Sequence, residues 1–397
     1  MRNNIIILLL SLCSCWPLGA VGRDSLQFSL LTCAPGELVY ELFGHTAIRC
    51  RNFTKGTDLV YNYGMFDFDT PNFVMRFVRG ETDYMLGVVP FDYFEREYAF
   101  RGSAVKEQVL ALEEYETHWL DTLLRDNYLP ENRVYRYNYF YDNCTSRARD
   151  QIELALNGDV MYPPGVKGAT FRAWVHQYTK NHPWTDFGIS LCLGAEADRP
   201  INSRLQMFLP DNLRQAMNHA TVHGVGDMSI RKLVKSETEI LPSMKDGVEE
   251  AGAFPLTPMQ TALVLLVLVA LCSWWEWKHC RVWWGVDVLL FLVQGLAGCL
   301  IAFLFFFSVH PTVGSNYLLI IFNPLPLIGL PWMINCIRKG KKCLYDVGNA
   351  AILTLFIAFL PLIPQKISLV VVPLALNLLI RSVLHLAVAR KKALQGT

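Results

Sequence analysis

Residues 135–150 read Tyr-Arg-Tyr-Asn-Tyr-Phe-Tyr-Asp-Asn-Cys-Thr-Ser-Arg-Ala-Arg-Asp, aromatic and alternating at the start, polar and helix-like at the end. Such a change of period reads as a strand running into a helix. Cys144 sits at the join, behind Asp142 and Asn143, both of them good helix-capping residues. A thiol on the first turn of a helix meets the positive end of the helix dipole and backbone N–H groups that lack intrahelical acceptors. Both effects favour the thiolate. On this reading Cys144 is a nucleophile, and the rest of the chain holds it in place.

Working outward, residues 26–32, 45–49, 58–65, 84–89 and 104–110 carry strand patterns. Residues 37–43 look like a short helix after Pro35-Gly36. Helical spacing recurs over 113–128, 146–156, 171–179 and 212–220, and the 146–156 helix stops at Asn157-Gly158. Strands and helices mix without strict alternation, which predicts an α+β domain.

The 397 residues carry a net charge of +1, which gives no hint of a nucleic-acid partner. They are 52% hydrophobic, and the last third is much more apolar than the middle. Residues 1–20 have the outline of a secretory signal peptide, with cleavage expected after Ala20 or Gly22. The alternatives are an uncleaved anchor or a lipidated Cys15. Residues 21–253 then form an exported domain, of which 235–252 is a polar linker, and 254–397 a membrane domain.

Apolar segments at 256–275, 283–309, 317–337, 347–362 and 367–386 each approach a bilayer-spanning length. Basic residues cluster after the first span (Lys278, Arg281), the third (Arg338 to Lys342) and the fifth (Arg390 to Lys392), whereas the other connections hold only Lys366. The positive-inside rule places those loops and the C-terminus in the cytoplasm and the Cys144 domain outside.

The thiol needs a base, and His45 opens a strand directly after Gly44. A Cys–His pair is a sufficient nucleophile–base unit where the two meet in space. Asn62 is the candidate for orienting the imidazole, with Asp67 as the alternative. The backbone N–H of Cys144, with the Asn143 side chain or the Tyr137 hydroxyl, is the expected oxyanion site. The plainer readings are a packed, inert Cys144, a capping His45, and a glycosylation sequon at Asn143-Cys144-Thr145. There is no Gly-x-Ser-x-Gly elbow, no His-Glu-x-x-His and no phosphate-binding glycine loop. Eleven cysteines include no Cys-x-x-Cys pair, and His118, His176, His182, His219 and His223 lack metal-ligand spacing, so no metal or cofactor is expected. A Cys33–Cys50 disulfide is left open.

The motifs Leu-Thr-Cys-Ala-Pro-Gly-Glu (31–37), Phe-Gly-His-Thr-Ala-Ile-Arg (43–49), Tyr-Asn-Tyr-Gly (61–64) and the 135–145 stretch resemble the Lnb family of bacterial lipoprotein N-acyltransferases. Ser308-Val309-His310-Pro311 and Asn323-Pro324-Leu325 resemble the membrane part of that family. The resemblance implies a permuted papain-like or NlpC/P60-like exported domain, with His45 as base and Cys144 as nucleophile. It also implies an inner-membrane enzyme acting at the periplasmic face on diacylated lipoproteins and membrane lipid. His310, Asn316 and Asn323 fall near the outer ends of the second and third spans and are membrane-face candidates. A membrane-anchored cysteine amidase or peptidase, and a non-enzymatic envelope scaffold, are the rival readings. Oligomeric state and acyl donor are not legible.

Overall fold

A computed structural model describes residues 24–224, 229–244 and 254–395. The signal segment, Cys15 and the end of the expected linker lie outside the described residues. The extramembrane domain is built on a seven-stranded antiparallel sheet, ordered β10-β5-β1-β2-β3-β4-β6. Its strands are β1 (Leu26–Cys33), β2 (His45–Asn52), β3 (Thr57–Met65), β4 (Asp83–Pro90), β5 (Val105–Leu110), β6 (Val134–Arg136) and β10 (Val234–Leu241). A small second sheet joins β7 (Gly158–Met161), β8 (Thr221–Gly224) and β9 (Ile230–Lys232).

The helices of this domain are α1 (Phe73–Arg79), α2 (Phe91–Phe100), α3 (Glu114–Tyr128), α4 (Cys144–Ala155), α5 (Phe171–Thr179), α6 (Pro183–Cys192), α7 (Ser203–Gln206) and α8 (Pro210–Asn218). One sheet face, with Phe28, Leu30, Ile48, Tyr61 and Tyr63, packs on α3, α4 and α8. The other, with Leu31, Ala47, Val60 and Val105, packs on Phe94 and Tyr98 of α2. Period-two alternation sends successive side chains to these two cores. Arg49 is buried on the second face, held by Asp58 through Nε at 2.8 Å and by Glu107 through Nη1 at 3.1 Å, with its guanidinium over the Phe91 ring.

Two expectations are corrected. Residues 37–43 form turns, not a helix; Gly36 N–H donates to the Glu41 carbonyl and Arg101 binds the Glu41 carboxylate at 2.7 Å, closing the segment on itself. Much of the expected linker is edge strand β10, whose polar side chains suit an exposed edge. Cys33 and Cys50 are free: Cys33 pairs with His45 and Cys50 with Phe28, and they serve different cores.

Among the described residues, five helical segments are long and apolar enough to cross a membrane. They are α9 (Pro258–His279), α10 (Trp284–Phe307), a broken third span, α12 (Leu344–Phe359) with a 3-10 turn, and α13 (Val371–Gln395). The third span is a 3-10 turn at Tyr317–Ile320 followed by α11 (Leu325–Arg338), which contains Pro331. At the end of the bundle away from the sheet domain, Arg381 of α13 is fully buried. It donates to Asp287 at 2.6 and 2.9 Å, to Glu276 at 2.5 Å and to the Ser273 hydroxyl at 3.1 Å. One helical turn on, His385 meets Asp346 at 3.0 Å and Asp287 at 3.1 Å. The cluster ties α9, α10, α12 and α13 together.

Two seams join the sheet domain to the bundle. In the first, the buried Arg172 gathers Asp198 and the carbonyls of Ser190, Leu193 and Gly194, shaping residues 190–198 into a strap. The strap donates from Gly194 N–H to the Thr312 carbonyl at 2.7 Å. Asn316 Nδ2 donates to the Leu191 carbonyl at 2.6 Å, and Gln365 Nε2 to the Leu193 carbonyl at 2.9 Å. In the second seam, Val309 N–H donates to the Arg79 carbonyl at 2.8 Å, Ser308 Oγ to Val78 at 2.8 Å and His310 Nε2 to Phe77 at 2.9 Å. Gly80 ends α1 at φ 73°, and a Cβ there would stand 3.1 Å from the His310 nitrogen, so both backbone and space require glycine.

Candidate active site

The β2–β3 register pairs Ile48 with Tyr61, which carries His45 to the level of Gly64 and sets Asn62 diagonally across on the same face. Gly44, at φ 75°, makes the turn into β2; a Cβ on it would lie 2.5 Å from the Cys33 carbonyl oxygen. Cys144 is the first residue of α4 and reaches the same end of the sheet, where a Cβ on Gly64 would lie 3.5 Å from its own Cβ.

His45, Asn62 and Cys144 meet here. His45 Nε2 donates to Asn62 Oδ1 at 3.3 Å, which leaves Nδ1 for the thiol, and imidazole and thiol line one cavity, close enough for each to shift the other's titration. Asp67 is exposed and its carboxylate accepts from the Asp69 N–H, so it does not fill the orienting position. Burial alone would push the Cys144 thiol up. The His45 charge and hydrogen bond, the Thr46 N–H and the Thr145 hydroxyl outweigh it and hold the thiol below its ordinary value. Burial works the other way on His45, and the thiolate, with Asn62, raises the imidazole above its usual range. Both shifts run in the direction of a thiolate–imidazolium pair. Cys33, also buried but without an imidazole beside it, is pushed well up by that burial, which favours the neutral thiol.

Asn143 caps α4: its Oδ1 accepts from Thr145 and Ser146 N–H, both at 2.9 Å. Its Nδ2 donates to the Tyr139 and Phe208 carbonyls at 2.8 and 2.9 Å. That side chain is saturated and cannot donate to an oxyanion, which corrects the expectation for it. The Cys144 N–H and the Tyr137 hydroxyl take no hydrogen bond among the described residues. Burial pushes the Tyr137 phenol far up, so it keeps its proton. Thr46 and Thr145, whose hydroxyls lie 3.1 Å apart, are additions that sequence reasoning missed; each adjoins a residue it singled out.

A cavity of about 260 Å³ abuts the thiol; aromatic side chains including Tyr40, Phe66, Tyr84, Tyr137 and Phe208 form part of its wall, and Glu41, Glu97 and Arg101 also line it. The three membrane-face candidates do not line it. Asn316 is consumed by the strap, accepting from Leu318 N–H and Gln365 besides donating to Leu191. Asn323 caps the break in the third span, and His310 holds α1. All three are structural ties.

Five apolar spans carrying an α+β domain with a paired thiol and imidazole define a multi-pass membrane protein with an extramembrane Cys–His site. A family model of the Lnb N-terminal periplasmic domain matches residues 14–177, and one of the Lnb transmembrane domain matches residues 249–393. The chain belongs to the Lnb family, and its N-terminal domain is periplasmic. No curated protein and no solved structure matches it.

Proposed function

We propose that the protein is a lipoprotein N-acyltransferase of the bacterial inner membrane, with its C-terminus in the cytoplasm as the basic loops suggest. The observation that carries this reading is the Cys144–His45 pair set against a cavity walled in part by aromatic rings, in a domain fastened to membrane spans. The Cys144 thiolate attacks the carbonyl carbon of an acyl ester on a diacylglycerol group. The Cys144 N–H and the Tyr137 hydroxyl hold the tetrahedral oxyanion. The carbon–oxygen bond breaks, the His45 imidazolium protonates the departing alkoxide, and an acyl thioester remains on Cys144. The neutral α-amine of a lipoprotein's N-terminal cysteine then attacks the thioester and gives its proton to His45. The thiolate leaves, so that ester and amine have become alcohol and amide. Asn62 keeps the imidazole turned toward the thiol throughout.

The test is mass spectrometry of a lipoprotein's N-terminal peptide from cells bearing the native protein or Cys144→Ala as their only N-acylating enzyme. The expected result is loss of the amide-linked chain and appearance of a free amine; counting the remaining ester chains identifies the donor. An unchanged peptide overturns the proposal, and altered muropeptides in the same cells would point instead to a cysteine amidase.

A further inference from the structure

The cavity beside Cys144 is not isolated from the bundle. Aromatic rings connect the two in an unbroken series. His310, just past the end of α10, packs edge-on to Phe77 at 6.2 Å between ring centres. Phe77 stacks on Phe73 at 6.3 Å, and Phe73 meets Phe66 at 5.5 Å and Phe68 at 5.1 Å. Phe66, where the cavity wall begins, contacts Tyr84 at 4.9 Å, and Tyr84 stacks on Tyr137 at 4.1 Å.

The helix at the start of this series, α1, has no buried residue, and Val74, Met75 and Phe77 are 72%, 54% and 46% exposed. An apolar face of this kind on a soluble domain calls for a partner. The partner is fixed by position. Three hydrogen bonds and the close contact at Gly80 hold α1 against the residues that end the second span, so the helix sits at the depth where that span leaves the hydrocarbon. The two arginines of α1 are already paired, Arg76 with Asp83 at 2.6 Å and Arg79 with Glu81 at 2.7 Å, which leaves apolar contact rather than charge as the attraction.

We propose that α1 and the rings of Phe73, Phe66 and Phe68 form a lipid-access ramp, along which an acyl chain of a membrane glycerolipid leaves the bilayer and enters the Cys144 cavity. The ramp deepens the proposed acyl transfer and rests on it for the fate of the ester delivered. Tyr40, 6.2 Å from Phe66 and 56% exposed, stands at its upper end, on the segment that Glu41 and Arg101 fasten. A path of flat rings suits a flexible chain because it offers dispersion contact along its length.

The experiment uses the full chain in vesicles of zwitterionic phosphatidylcholine carrying a diazirine near the end of one acyl chain. After illumination, adducts are mapped by peptide mass spectrometry. Adducts on residues 66–77 are expected alongside those on the spans. In a Val74→Asp, Met75→Asp variant the 66–77 adducts fall about tenfold, because interfacial binding scales with apolar area, while adducts on the spans stay and report intact insertion. Labelling confined to the spans in the native protein, or undiminished 66–77 labelling in the variant, overturns the ramp. The readout involves no acyl transfer. Labelled 66–77 with unacylated lipoproteins therefore sinks the proposed function and keeps the ramp, and acylated lipoproteins with unlabelled 66–77 do the reverse.

Discussion

Two sets of ionisable side chains are withdrawn from water in this molecule, and they are built in opposite ways. Around Arg381, permanent charges meet every partner they need: two carboxylates and a hydroxyl surround one guanidinium, sealed at the far end of the bundle. At Cys144, two groups that can both be neutral share one proton, beside a cavity. The first set fills its cation's partners, which suits holding three spans together, and the His385–Asp346 contact reaches the fourth. The second is unsaturated, with a Cys144 N–H and a Tyr137 hydroxyl beside it that take no hydrogen bond among the described residues, which suits chemistry. Burial strengthens electrostatics in both places, and what separates scaffold from reactive site is whether any partner is left unfilled.

The comparison breaks most visibly at the bundle. Arg381→Leu leaves the Glu276 and Asp287 carboxylates without their cation, and the expected loss is about 3–5 kcal/mol of stability, read as a lower unfolding midpoint in detergent. Replacing Arg381, Glu276 and Asp287 together by apolar residues of similar volume should recover much of it. A single variant as stable as the native chain would mean the cluster holds nothing.

His45→Ala acts on reactivity, not on folding. It removes the charge that holds the Cys144 thiol down and leaves the burial that pushes it up. Alkylation by iodoacetamide at pH 7 should slow, because a smaller share of the thiol is then thiolate. The native profile should extend to lower pH than that of free cysteine, because a lowered thiol keeps its thiolate further into acid, and the variant's profile should move to higher pH. Superimposable profiles would dissolve the pair.

The smallest effect is expected at Asn62. Asn62→Ala removes the acceptor for His45 Nε2 and leaves thiol and imidazole in place. Turnover should fall about fivefold, near 1 kcal/mol of barrier, with KM unchanged. A larger loss accompanied by a lower unfolding midpoint would make Asn62 a packing residue instead.

The aromatic-to-polar switch at 135–150 located the α4 start because helix caps are a local signal, though the strand before it shrank to Val134–Arg136. The five spans were legible because hydropathy integrates over a whole bilayer thickness. The same averaging hid Glu276, Asp287, Asp346, Arg381 and His385, single charges diluted in apolar windows. Phe73–Arg79 escaped notice because seven mostly apolar residues fit a strand as well as a helix, and its partner is 230 residues away in sequence at Ser308. Asn143 was read correctly as a cap and wrongly as a spare donor, since the carbonyls of Tyr139 and Phe208 that fill it come from the tertiary fold.

The two seams between sheet domain and bundle have a geometric consequence. A body hinged at one point can rock; fastened at α1 on one side and along 190–198 on the other, it cannot. The height of Cys144 above the bilayer is therefore a dimension of the protein itself, like the gap of a fixed caliper. A group reaches the thiol only by standing at the height those two seams set.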